Sequence, residues 1–370
     1  MKKERQSNIE LLRIISILLI ISFHYVFKSG YVFEELNISS FIVKSFYMFG
    51  ELGVNIFILI MGYFMVNSKF SAKKLIKLVL EVYFYYIITV LIAIKIGFIS
   101  SDMGVINRIL LCFPITISKY WFVSVYILIY IFSPYFNILI HSMEKRNFQK
   151  LLITSLLVWS VIPTILGIFY NSTETLLYYS RFIWLVIIYF VGAYIRLYDI
   201  KIYKKRNSSI IGAILSFFIM LMGIIVIYLV QHNFNILNNL DVAYFWPPNT
   251  IPMFIFSISV FEIFLKIRIT SNKIINMLAS TTLGIYMIHD GMLNPYIWKN
   301  IFSTLEHLNS SYFVIYILGT TIIIFIVGAI IDLIRQFIEK YTVNKLLDSK
   351  FYSKLSNKVS NSLSRFLDII

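Results

Sequence analysis

Apolar residues run along this chain in long unbroken stretches, separated by short polar joints. "LIKLVLEVYFYYIITVLIAIKIGF" (75–98) is representative. A half-buried strand alternates apolar and polar positions, and these runs do not. A membrane-spanning helix needs roughly 20 mostly apolar residues. In lipid, backbone N–H and C=O groups have to be satisfied internally, so continuous apolar runs of this length select helices. The pattern predicts spans at 9–28, 47–67, 78–98, 121–140, 151–170, 181–198, 210–230, 250–266, 274–290 and 312–333. The fold class is therefore all-α: a polytopic transmembrane helical bundle of about ten spanning helices. Residues 99–120, with Pro114 inside a short apolar run, read as a re-entrant or interfacial piece. Residues 1–340 form one transmembrane domain, and 341–370 a cytoplasmic basic amphipathic tail.

Composition sharpens this picture. Hydrophobic residues make up 59% of the 370 and charged residues only 14%, too apolar a chain for a soluble domain of this size. The net charge of +15 would suggest nucleic acid in a soluble protein. Here Lys and Arg concentrate in alternate joints, such as "NSKFSAKKLIK", "HSMEKRNFQK" and "DIKIYKKRNSS". The positive-inside rule accounts for that alternation, places both termini in the cytoplasm and leaves no call for nucleic acid. Cys112 is the single cysteine, so no internal disulfide and no cysteine metal site is expected. The first apolar run exceeds the core of a cleavable signal peptide, and no small-residue cleavage site follows it.

The first span, "NIELLRIISILLIISFHYVF" (8–27), carries Glu10, Arg13 and His24. At about 100° per residue, Arg13 and His24 are separated by three turns and about 20°, with Glu10 about 60° away. All three share one stripe, with about 16 Å of axial distance between Arg13 and His24. In one reading Glu10 and Arg13 pair near the headgroups and His24 snorkels outward. In the other, the trio lines a polar path through the protein. A mid-bilayer Arg costs roughly 2.5–3.5 kcal/mol on insertion scales, so aligned ionisable groups at two depths favour the second reading.

Four segments carry a resemblance. "IELLRIISILLIISFHY" opens the chain, and "GELGVNIFILIMGYFMV" (51–67) follows. "YWFVSVYILIYIFSPYFN" (120–137) and "LGIYMIHD" (283–290) come later in the same order. Together they resemble the acyltransferase-3 family of integral membrane acyltransferases, whose first helix carries an Arg, ten residues and a His. Arg13 and His24 match that spacing. Two positions depart from the family pattern: Met61 stands where a Ser is common, and Lys74 and Lys77 replace the two arginines of a short basic motif. Lysine keeps the charge and loses the bidentate fork.

The resemblance implies an O-acyltransferase that moves acetyl, or a similar acyl group, from acetyl-CoA to a hydroxyl of a glycan or lipid-linked saccharide. Acetyl-CoA is then a co-substrate, and no metal is needed. His24 is the candidate general base, since imidazole titrates near neutral pH; an acetyl-histidine intermediate is the covalent alternative. Arg13 has three candidate roles: holding a CoA phosphate, holding a carbonyl, or polarising the thioester. Lys74 and Lys77 are candidate phosphate ligands or only topology charges. Glu10 completes the stripe of the first helix, Glu51 is placed to orient His24, His289 to meet the acceptor, and Trp121 to stack on a sugar ring. Asp290 reads as a helix end in water. High Ile, Lys and Asn content points to a bacterial plasma membrane and to a capsular or extracellular polysaccharide. The rival reading is a transporter or flippase of lipid-linked glycan without acyl transfer. The oligomeric state is not legible.

Overall fold

The computed structural model describes residues 5–98, 112–115, 120–170, 180–205, 207–308, 310–347 and 349. Among them every regular element is a helix. The chain runs through α1 (Ser7–Phe27), α2 (Ile38–Ser45), α3 (Tyr47–Met65) and α4 (Ala72–Lys95). Next come α5 (Trp121–Ser142), α6 (Lys145–Leu166), α7 (Arg181–Tyr198) and α8 (Ser208–Phe234). It closes with α9 (Ile251–Lys266), α10 (Lys273–Ala279), α11 (Thr282–His289) and α12 (Phe313–Tyr341). Most of the piece expected at 99–120 and the tail from 351 lie outside the described residues.

Eight stretches among the described residues are long and apolar enough to cross a membrane: α1, α2 with α3, α4, α5, α6, α7, α8, and α12 with its continuation to Leu347. The other two expected spans take different forms. The stretch at 250–266 is α9, 16 residues and so about 24 Å long. The stretch at 274–290 is broken at Ser280 and Thr281, between α10 and α11. Both hydroxyls turn back onto the helix, Ser280 Oγ to Met277 O and Thr281 Oγ1 to Leu278 O, each at 2.7 Å. Such local bonds compete with helix continuation. Gln336 of α12 then donates to Ser280 O at 3.2 Å, supplying the exposed carbonyl with a partner.

Polar caps set several starts. Asn37 and Ser40 form a capping box at α2, and the Ser71 and Asn272 side chains accept from the first turns of α4 and α10. Pro163 interrupts α6, where a π turn runs over Leu157–Val161. Proline has no N–H to give to the carbonyl four residues back. That carbonyl, Trp159 O, accepts from Asn249 Nδ2 at 3.2 Å instead, and Tyr244 Oη donates to Pro163 O and Thr164 O. The segment after α8 is thereby fastened to the kink.

α3 is the most deeply enclosed span and lies between α1 and α7. Small residues let these backbones approach. A Cβ on Gly62 would strike Tyr189 O, and one on Gly192 would strike Leu59 O. Asn55, fully buried on α3, ties three elements: it accepts from Trp184 Nε1 of α7 at 3.1 Å and donates to Pro248 O and Ser257 Oγ. By contrast α8 turns Ile211, Ile214, Leu215, Phe218 and Ile219 outward. A continuous apolar face of that kind suits lipid, not water.

Arg335 is a charge buried in the last long helix. It is only 7% exposed inside α12. Its Nη2 lies 2.9 Å from Glu81 Oε1 on α4, its Nε donates to Asp332 Oδ1 at 2.7 Å, and its Nη1 to Glu339 Oε2 at 2.6 Å. Asp332 also accepts from Tyr85 Oη at 2.6 Å, and Gly284 of α11 rests against it where a Cβ would not fit. The cluster therefore locks α4, α11 and α12 together. Asp332 and Glu339 lie three and four residues away on α12 itself, whereas Glu81 is a partner that only the fold supplies.

Candidate active site

Two cavities lie along α1. One, about 650 Å³, sits at its C-terminal end and takes in His24, Lys28, Glu51, Trp121, Arg181 and Asp290. The other, about 280 Å³, sits along its N-terminal half and takes in Arg5, Arg13, Ile17, Glu81 and Tyr126. Ile20, Phe122 and Tyr286 line both. Arg13, Ile17, Ile20 and His24 are spaced by four, three and four residues, so one face of α1 forms a wall through both cavities. The stripe read from the sequence is this wall.

His24 is buried, at 7% exposure, and does not snorkel. Its Nδ1 lies 3.0 Å from His289 Nε2. His289 Nδ1 in turn lies 2.6 Å from Ile285 O, one turn back in α11. A carbonyl only accepts, so His289 carries its proton on Nδ1 and presents the lone pair of Nε2. With both rings neutral, His24 donates from Nδ1 and keeps a lone pair on Nε2. The tautomers follow from the hydrogen-bond network. Behind Nε2, Asp290 Oδ2 is 3.9 Å away, and Asp290 Oδ1 takes Lys28 Nζ at 3.5 Å and Asn294 Nδ2 at 2.8 Å. Asp290 was expected as a helix end in water; its side chain is instead 8% exposed and paired.

Glu51 and Trp121 share this cavity through Arg181. The guanidinium lies 3.5 Å from Glu51 Oε1 and sits over the Trp121 ring, 4.8 Å from its centroid. One face of Trp121 is thus already occupied by a cation. Trp246 closes the aromatic side of the cavity, stacked near Phe23 with centroids 6.1 Å apart. Lys44 of α2 holds Asp241 at 3.1 Å and so anchors the segment that delivers Trp246. His289, expected to meet an acceptor, is wholly buried behind His24.

At the other cavity, Arg13 Nη1 lies 3.6 Å from Glu10 Oε2, and Arg5 Nη1 donates to Asn276 O at 3.0 Å. Glu10 is buried but lines neither cavity. Lys74 and Lys77 line neither one among the described residues. Lys74 is exposed on the first turn of α4. Lys77 donates to Asn344 Oδ1 and lies 3.6 Å from Glu339 Oε1. The cations that face this cavity are Arg5 and Arg13.

One wall of α1 thus carries an imidazole lone pair in one cavity and a guanidinium in the other. A family model described as an acyltransferase domain matches residues 6–329. The chain belongs to the acyltransferase-3 family. It is a multi-pass membrane protein and an acyltransferase. No curated protein and no solved structure matches it. In this family member the structure thus gathers His24, Glu51 and Trp121 at one cavity, with His289 buried behind His24, and leaves Arg13 at the other. Lys28, Arg181, Tyr286, Trp246 and Arg5 join them without having been singled out in the sequence. Except for Tyr286, inside α11, their one advance signal is position: each sits at or beyond a helix end, where sequence inspection reads Lys and Arg as topology and aromatics as interfacial belt.

Proposed function

We propose that this acyltransferase moves an acetyl or similar short acyl group from acyl-CoA to a glycan or lipid-linked saccharide hydroxyl at a bacterial plasma membrane. The observation that carries the reading is the pair of cavities meeting at Ile20, Phe122 and Tyr286, one with Arg13 and one with His24. Acyl-CoA enters from the Arg13 cavity, where guanidinium matches phosphate oxygens. The acceptor enters the His24 cavity, whose aromatic walls suit sugar rings. The acceptor oxygen attacks the thioester carbonyl carbon while His24 Nε2 takes its proton. Asp290, 3.9 Å from Nε2, stabilises the imidazolium that forms. Collapse of the tetrahedral intermediate breaks the C–S bond, and the departing thiolate recovers the proton from His24. His289 is a positioning residue that holds the His24 tautomer.

The reading expects membranes from the source cell to transfer label from radioactive acetyl-CoA into their glycan fraction, and membranes lacking this chain to lose that transfer. Equal labelling with and without the chain rejects acyl transfer. It also requires the Arg13 cavity to face the cytoplasm, where CoA is made, and both chain termini to lie there. α8 spans 27 residues, about 40 Å, between Lys205 and Asn238. In a Cys112→Ala background, Lys205→Cys is expected to label from the cytoplasmic side and Asn238→Cys from outside. The reverse pattern removes the route for CoA.

A further inference from the structure

We infer that Ile20, Phe122 and Tyr286 form the throat that holds the acyl group at transfer, and that Ile20 limits its size to short, uncharged acyl chains. The inference rests on the acyl-transfer reading above and adds to it the class of donor.

Among the described residues these three side chains are common to the two cavities. All are buried, at 4%, 8% and 6% exposure. They come from α1, α5 and α11. Ile20 is one helical turn from His24, about 6 Å along the axis. For transfer, the thioester carbon has to stand about 3 Å from an oxygen whose proton is passing to His24 Nε2. A donor arriving along the Arg13 face therefore places its carbonyl beside Ile20, with its acyl chain between Ile20 and the two rings.

That slot has little freedom to widen. The α3 backbone presses on Ile20 at Gly53, where a Cβ would lie 2.7 Å from Ile20 Cγ1 and 2.9 Å from Cδ1. Opposite, the Phe122 and Tyr286 rings meet edge to face with centroids 6.0 Å apart, and Phe57 backs Phe122 at 6.1 Å. In a tightly packed apolar slot each added methylene is discriminated by roughly 10- to 200-fold. A carboxylated acyl group would also have to bring its charge against an isoleucine and two aromatic rings, an unfavourable burial without a paired cation.

The test uses membranes from the source cell carrying wild-type or variant full-length chain, supplied with radiolabelled acetyl-CoA, butyryl-CoA or succinyl-CoA, with label counted in the glycan fraction. Wild type is expected to use acetyl-CoA well ahead of both others. Ile20→Ala is expected to raise the butyryl-to-acetyl ratio about ten-fold or more, and Ile20→Val to raise it less, in the same direction. Ile214→Val, on the outward face of α8 and away from both cavities, is expected to leave the ratio unchanged. An unchanged ratio in Ile20→Val and Ile20→Ala overturns the throat, and Ile20→Val decides alone if the alanine variant does not accumulate. Succinyl-CoA used as readily as acetyl-CoA by wild type overturns it too. Absence of glycan labelling by wild type with every donor is a different result: it rejects the acyl-transfer reading itself.

Discussion

Replacement of His24 by alanine is expected to lower turnover about 10²- to 10⁴-fold, the usual worth of a positioned general base. Affinity for acyl-CoA should stay close to wild type, because Arg13 and Arg5 face a different cavity about 16 Å away along α1. The measurement is single-turnover transfer from acetyl-CoA in membranes, with donor binding followed separately. His289 gives an internal check on the assigned tautomer. It does not line the acceptor cavity and touches His24 through one hydrogen bond of 3.0 Å. His289→Phe removes the acceptor for His24 Nδ1–H and leaves the ring free to adopt the wrong tautomer. Turnover should then fall while KM for acetyl-CoA holds, and the pH profile of turnover should move. Glycan labelling at near wild-type rate by well-folded His24→Ala protein would sink the general-base assignment and redirect the search to Glu51.

The second large effect is expected at Arg13. Its side chain is about one-third exposed, and its nearest anionic partner among the described residues, Glu10, stands 3.6 Å away, outside close hydrogen-bond range. That leaves guanidinium donors available to a phosphate. A hydrogen bond to a charged group contributes about 1.5–3 kcal/mol, so Arg13→Ala is expected to raise KM for acetyl-CoA about 10- to 100-fold. Arg13→Lys should recover only part of the loss, since an ammonium lacks the planar fork. KM for the acceptor should not respond. An Arg13→Ala protein with unchanged KM and reduced turnover would instead assign the residue to the thioester. Lys77, engaged by Glu339 and Asn344, is expected to matter for α4–α12 packing more than for the donor.

The sequence by itself determined the class of fold, because uninterrupted apolar runs of spanning length admit only helices in lipid. It also determined the Arg13–His24 stripe, because helical periodicity converts spacing along one helix directly into direction. The four ordered segments from "IELLRIISILLIISFHY" to "LGIYMIHD" were sufficient for the family. Periodicity carries no information between helices, and that is where the remaining features lie. The carbonyl freed at the Ser280 break is met by Gln336, 56 residues away. His24 finds its hydrogen-bond partner in His289, 265 residues along the chain, so neither the shared proton nor the tautomer could be read from either segment. Arg335 and Asp290 look like ordinary helix-end charges until packing removes water from them. The throat at Ile20, Phe122 and Tyr286 is the plainest case. Each is an unremarked apolar or aromatic residue in its own helix, and only the meeting of α1, α5 and α11 turns them into a junction between two cavities. Secondary structure follows from local solvation and short-range spacing; a site assembled from three helices follows from long-range packing, which the linear pattern does not encode.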